Sequence, residues 1–198
     1  MAESKLDHSD IMSLYDDYYD YWSEKHNRMT DEIKFSRMGE QWDSQSKADR
    51  IREGRPCLTI NKLPSFGRQV VNDARQNKPS IKIHPADDKA DVETAKIMNG
   101  LIRNIEYVSD AEVCYDTALE SAVYSSMGFW EISVDYSSYD QFEQDISFNR
   151  IADPTKVYGD IYSEACDASD WNDCFIEQDP ISLDEFEAKY PDKKATSG

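Results

Sequence analysis

Four aspartates in the second half of the sequence come closest, by type and position, to a catalytic set. They are Asp135, Asp145, Asp153 and Asp160. Carboxylates bind Mg²⁺, so such a set could in principle hold the metal ions of a nuclease. However, the four do not form an acidic motif at metal-ligand spacing, and isolated carboxylates on strands usually face water. Because no site is visible, we predict neither a metal site nor catalysis.

The cysteines and histidines offer no better site. The four cysteines form no C-x-x-C pair and the three histidines are scattered, so we predict no zinc site. His84 stands beside Pro85 in a predicted strand, which favours a structural role over that of a catalytic base. The sequence has no P-loop motif, so we expect no ATP hydrolysis and no bound cofactor. The thiols predicted to be reduced are those of Cys57, Cys114, Cys166 and Cys174.

The charge of the chain is strongly negative and unevenly distributed. Its 198 residues include 40 acidic and 22 basic side chains, and the net charge of −18 argues against nonspecific binding to nucleic acid. Between Glu131 and Asp192 there are 17 acidic and three basic residues. Between Arg55 and Arg103 there are five acidic and nine basic residues. Such a distribution suits contact between neighbouring molecules in an assembly, or it is simply a solvated surface.

Three regions differ in pattern, within a length that suits one domain with a real core. Residues 1–54 read as an N-terminal helical segment, and residues 55–127 as a strand–helix–strand unit followed by a helical pair. Residues 128–198 read as an acidic β-meander that ends in a short helix. No apolar run approaches 18 residues and the N-terminus is polar, so we expect no membrane span and no signal peptide. This order of elements predicts an α+β fold.

The first predicted helix runs from Ser9 to about Arg28 and is rich in aromatic side chains. These side chains cover more than one face, which is typical of a helix held between neighbours. The candidate subunit interface consists of Tyr15, Tyr18, Tyr19 and Trp22. The alternative is that Tyr15, Tyr18 and Tyr19 keep their hydroxyls in water, while Leu14, Tyr21 and Trp22 pack within the same chain. A short helix from Thr30 to Met38 and a polar segment from Ser44 to Glu53 follow.

The central region predicts strands on both sides of a helix. Leu58–Ile60 has the residue types of a strand, and Pro64 suits the first turn of the helix that follows. Apolar and polar residues alternate from Ser80 to Pro85, which indicates a second, half-buried strand. Two closely joined helices are then predicted, from about Lys89 to Val108 and from about Ala111 to Ser125.

The last region changes to a period of two residues from Gly128 onward. Ser182 and Glu185 form a capping box that opens a short terminal helix. The apolar face of the first strand needs helices to cover it, so we expect replacement of Ile132 by alanine to cost on the order of 2–5 kcal/mol. The predicted core consists of Phe66, Val70, Leu101, Ile105, Trp130, Ile132 and Val134.

Several motifs occur in an order that resembles a known protein family. The most specific runs from Arg55 to Ile83, as a strand, a proline-started helix, a proline-ended turn and a strand. Phe35–Trp42 precedes it, and Gly128–Tyr136 and Phe186–Tyr190 follow it in the same order. Together they resemble the N-terminal portion of the portal proteins of short-tailed, P22-type double-stranded DNA phages, in which this region belongs to the outer wing of the ring.

The resemblance implies a structural role without catalysis. The parent chain would form a dodecameric portal ring at the capsid vertex, as the conduit for genome packaging and ejection and the docking site for terminase and tail adaptor. It would contact the capsid protein and reside in the virion, and in the host cytoplasm during assembly. Double-stranded DNA would pass through the ring, with no direct binding by this segment expected. Family members are several times longer than this chain, which would be an N-terminal piece or a truncated gene product. The alternative is a free-standing acidic binding or adaptor protein.

Overall fold

A computed structural model describes residues 7–77, 80–85, 91–137, 142–165 and 167–191. Over these residues it contains six α-helices and two small antiparallel sheets, with helices before strands, so the predicted α+β class is confirmed. The chain divides into two compact units, residues 1–18 with 156–198, and residues 19–155. The elements are α1 (His8–Ile33), α2 (Ser44–Arg52), α3 (Leu63–Gln76), α4 (Val92–Val108), α5 (Ala111–Ser125), β1 (Trp130–Tyr136), β2 (Gln144–Arg150), β3 (Val157–Tyr158), β4 (Phe175–Ile176) and α6 (Leu183–Lys189).

The N-terminal helix is longer than its sequence pattern predicts. It continues to Ile33 and passes directly into a π-helical turn, Lys34–Met38, so the predicted separate helix beginning at Thr30 is wrong. The Thr30 hydroxyl donates to the carbonyl of His26 (2.9 Å) and so binds the preceding turn instead of capping a new one. Gly39 ends the π-helical turn with a φ of 73°, a conformation that glycine adopts without steric cost.

The polar segment after Gly39 is also helical. Helix α2 begins where the Asp43 carboxylate accepts a hydrogen bond from the backbone N–H of Ser46 (3.1 Å). The Arg50 guanidinium near its end donates to the carbonyl of Pro56 (3.0 Å). None of its residues is buried, and its sequence has no apolar stripe. Such a stripe is the main sequence signal for a helix, which is why the segment was not predicted to be helical.

The two strands predicted beside α3 are not strands. Residues 55–62 and 80–85 lack regular secondary structure because neither segment pairs with another strand in the described chain. Side chains of neighbouring helices bind their backbone instead. Asn99 on α4 accepts from the N–H of Ile83 and donates to its carbonyl, both at 2.9 Å, and Arg50 on α2 donates to the carbonyl of Pro56 (3.0 Å). The helix between them starts with Pro64 in its first turn, as predicted.

The core of the larger unit lies between α3, α5 and the β1–β2 hairpin. On α3 the buried residues are Gly67 and Val71, and the ring of Tyr124 on α5 lies directly against Gly67. The Tyr124 hydroxyl donates to the carbonyl of Pro64 (3.2 Å), which ties the start of α3 to α5. Further along α5, Ala111 and Cys114 are buried with Phe148 of β2, and Ile105 and Tyr115 pack against them.

The predicted core cluster is therefore mostly wrong. The strands pair as antiparallel neighbours with Ile132 opposite Phe148, so the apolar face is the one expected. However, the helices cover it only around Phe148, and Ile132 remains 54% exposed. The face of α3 that packs is the one with Gly67 and Val71, which leaves its neighbours Phe66 and Val70 outside. Of the predicted core residues, those that stay exposed are Phe66, Val70, Leu101, Trp130, Ile132 and Val134.

The smaller unit has its own two-stranded sheet. Strands β3 and β4 pair antiparallel, with Val157 opposite Ile176, and neither joins the β1–β2 hairpin, so the predicted continuous meander is two separate sheets. The strand predicted from Trp171 to Gln178 is shorter in the structure, where β4 comprises Phe175–Ile176, the two residues that pair with β3. Helix α6 begins as predicted, with the Ser182 hydroxyl accepting from the N–H of Glu185 (3.2 Å).

Candidate functional site

The four aspartates of the nuclease hypothesis serve local structure or lie on the surface. Asp135 and Asp145 face each other across the β1–β2 hairpin, and Asp153 accepts from the N–H and the hydroxyl of Thr155 (3.0 and 2.7 Å). Asp160 is buried and accepts from the backbone N–H groups of Asn172 and Tyr162, which lower the pKa of its carboxyl. Within the described ranges no three His, Cys, Asp or Glu side chains converge as metal ligands would.

None of the helices described is long and apolar enough to cross a bilayer.

The first half of α1 carries two of the interface candidates and belongs to the smaller unit. The Tyr15 ring meets the rings of Tyr158 (5.4 Å between centroids) and Phe175 (5.6 Å) edge to face. The Tyr15 and Tyr158 hydroxyls donate to the same oxygen of Glu177, at 2.6 and 2.7 Å. Burial and this hydrogen bond raise the pKa of Tyr158, since both disfavour the phenolate.

Tyr18 lies deeper in the same cluster. Its side chain is 2% exposed, and its ring contacts Phe175 at a centroid distance of 5.3 Å. Burial raises the pKa of Tyr18, and the neighbouring charge of Asp160 adds to this. Asp160 itself fixes the turn that follows β3. Both tyrosines therefore pack against β3 and β4 of their own unit.

The second half of α1 carries the other two candidates and belongs to the larger unit. Trp22 is 4% exposed, and its ring lies near those of Tyr21 (6.4 Å) and His26 (5.5 Å). The Lys25 ammonium lies over both the Tyr21 and the Trp22 rings, at 4.3 and 4.4 Å from their centroids. By contrast, Tyr19 and Tyr21 are 49% and 48% exposed.

The structure thus divides the aromatic residues of α1 into packed and exposed sets. Tyr18 and Trp22 are buried, Tyr15 is half-buried, and Tyr19 is the candidate that presents its ring to solvent. Tyr21, which the alternative interpretation packs within the chain, is also exposed, on a different side of the helix from Tyr19. Spacing is the signal that could have found it, because Tyr18 and Trp22 lie four residues apart on one face and Tyr21 lies off that face. Tyr19 stands three residues before Trp22, at the edge of the packed face, so spacing alone does not reveal its exposure.

Comparison with known proteins identifies related sequences. The model of a family described as phage P22-like portal protein matches residues 12–198. A portal protein of Acyrthosiphon pisum secondary endosymbiont phage 1 is 25% identical over 209 residues. That alignment covers 99% of this chain and 28% of the relative, so the chain spans about a quarter of the length of the curated relative that it matches.

Proposed function

Because the chain belongs to the P22-like phage portal protein family, we propose that it is part of the structural subunit of the portal ring at one vertex of the capsid. The match over residues 12–198 is the observation that carries this proposal. The ring is a homo-oligomer, a dodecamer by analogy with the family, and serves as the conduit through which the genome is packaged and ejected. It docks terminase during packaging and the tail adaptor afterwards, and it performs no chemistry of its own.

The distribution of apolar side chains supports a place in an assembly. Among the described residues, thirty large apolar side chains are exposed, whereas twelve hydrophobic residues are buried. Exposed apolar residues on one β-face, such as Ile132, Val134 and Ile146, are contiguous because they share that face of the hairpin. Contiguous exposed apolar surface marks interaction sites in soluble proteins.

Imaging of virions tests the portal role. We expect an antibody fragment raised against residues 7–77, applied to tail-free particles of the phage that encodes the chain, to label one vertex of each capsid. A symmetric distribution over all vertices, or labelling only of free protein outside particles, would refute the proposal. Labelling of particles that lack the gene product is the control for nonspecific binding.

We further propose that α1 forms part of the contact between neighbouring subunits. Tyr19 and Tyr21 supply exposed rings on two sides of the helix, and such rings suit interfaces because each has a large apolar body and a polar tip. Tyr15, Tyr18 and Trp22 contribute indirectly, since their packing fixes the helix that carries the exposed rings. The three regions predicted from the sequence, residues 1–54, 55–127 and 128–198, would all belong to the wing of the ring.

Replacement of Tyr19 and Tyr21 by serine tests the α1 interface. We expect the free energy of unfolding to change by less than about 0.5 kcal/mol per substitution, as is typical of surface sites. We expect self-association, measured by sedimentation velocity, to weaken at least about tenfold, because buried tyrosines are common interface hot spots. Tyr162→Ser, which also removes an exposed ring, is the control and should leave association unchanged. Equal association of the double variant and the wild type would exclude α1 from the interface.

A further inference from the structure

Three cationic side chains lie around one shallow cleft of the larger unit. The cleft has a volume of 330 Å³, and Lys82, Lys96 and Arg103 line it. Lys96 and Arg103 lie seven residues apart, two turns along one face of α4. Asn99 lies between them and holds the backbone of Ile83 through two hydrogen bonds of 2.9 Å, which places Lys82 beside the helix. We refer to this surface as the basic cleft.

The basic cleft is unusual in a chain with a net charge of −18. Elsewhere in the same unit, Arg37 pairs with Glu120 (2.6 Å) and Arg75 with Asp116 (2.8 Å). Over the parts of the chain that the structure describes, no carboxylate lies within 4 Å of the charged groups of Lys82, Lys96 or Arg103. The cleft therefore presents positive charge that the described chain does not neutralise.

The opposite arrangement occurs on the polar face of the β1–β2 hairpin. Asp135 and Asp145 are direct cross-strand partners, and Glu131 lies further along the same face. Like charges directly opposite each other destabilise a strand pair. The Ser133 hydroxyl donates to Asp135 (3.0 Å), but no Lys, Arg or His of the described residues forms an ion pair with these three carboxylates. We refer to this surface as the acidic hairpin face.

We propose that the basic cleft of one copy docks on the acidic hairpin face of the next copy. The proposal rests on the proposed function, in which identical subunits form a ring. Two different surfaces of the same chain then meet, which is a heterologous contact, and such contacts close into rings when the rotation between subunits allows it. Cations of the cleft would relieve the repulsion between Asp135 and Asp145.

Charge complementarity favours a second copy over nucleic acid as the occupant. A duplex is held by counterion release, and three cations release too few ions for stable binding at physiological salt, above all in a chain with 40 acidic residues. Ion pairs at a surface contribute little affinity but fix orientation and register.

Charge reversal on either surface tests the contact. One variant carries Lys96→Glu and Arg103→Glu, and the other carries Asp135→Lys and Asp145→Lys. Each variant alone has two faces of equal sign, so we expect its self-association in sedimentation velocity to be weaker than that of the wild type by at least about tenfold. In an equimolar mixture every basic face meets an acidic one, so we expect association to return to within about threefold of the wild type. The variant Lys47→Glu with Lys62→Glu, which makes the same change in net charge elsewhere, is expected to associate as the wild type does.

The remaining outcomes each decide against the contact. The contact would be overturned if either variant alone self-associated as strongly as the wild type. It would also be overturned if the mixture did not regain association although circular dichroism showed that both variants were folded. Loss of duplex DNA binding in fluorescence anisotropy by the Lys96→Glu, Arg103→Glu variant, with association unchanged, would assign the basic cleft to nucleic acid. A wild-type chain that remains monomeric would overturn this contact, whereas labelling of a single capsid vertex would still support the portal role.

Discussion

Replacing Gly128 with alanine will destabilise the larger unit by about 3 kcal/mol or more. A β-carbon at this position would lie 1.7 Å from the carbonyl oxygen of Ala118 and 2.5 Å from its carbonyl carbon. Those atoms belong to the backbone of α5, so no side-chain rotation relieves the clash, and the helix or the segment leading into β1 must move. Urea unfolding followed by tryptophan fluorescence will measure the effect.

Gly100→Ala is the matched control for this prediction. Gly100 lies inside α4, and apart from its chain neighbours and the nearby backbone of its own helix no atom lies within 4 Å of the position of an added β-carbon. Because alanine favours the helix over glycine, we expect this change to stabilise the chain by about 0.5–1 kcal/mol. Equal and small effects of both substitutions would contradict the close approach of Gly128 to α5.

Replacing Phe148 with alanine will cost about 3–5 kcal/mol. Phe148 is 8% exposed, and its ring lies near those of Trp130 (5.2 Å) and Tyr115 (5.8 Å). It also packs with Ala111 and Cys114, so it joins the hairpin to α5. Removal of the ring would leave a cavity where α5 covers the apolar face of the sheet, and urea unfolding again provides the measurement.

Phe142→Ala removes the same side chain from a position that is 98% exposed, and we expect a change within about 0.5 kcal/mol. A loss of stability below 1 kcal/mol for Phe148→Ala would show that the hairpin does not depend on this contact.

Local chemistry explains the features that could be predicted from the sequence. Pro64 begins α3, the Ser182 hydroxyl caps α6, and the change of period at Gly128 precedes β1. Each of these features depends on residues a few positions apart in sequence, so each can be predicted without knowledge of the rest of the fold. The candidate aromatic residues of α1 were also visible, because their number alone exceeds what one helix face can hold.

The sequence by itself determined the α+β order, the starts of α3, α5 and α6, and the membership of a family whose motifs follow one another along the chain. Tertiary structure alone decided that Ile83 binds Asn99 instead of a strand, that Phe148 is buried while Ile132 is exposed, and that Tyr18 packs while Tyr19 is half exposed. The reason is that the hydrogen bonds of helix caps and turns form between residues close in sequence. The burial of a side chain, in contrast, depends on which element from a distant part of the sequence packs against it. The spacing of apolar residues is the same whether they are buried against their own chain or against another molecule.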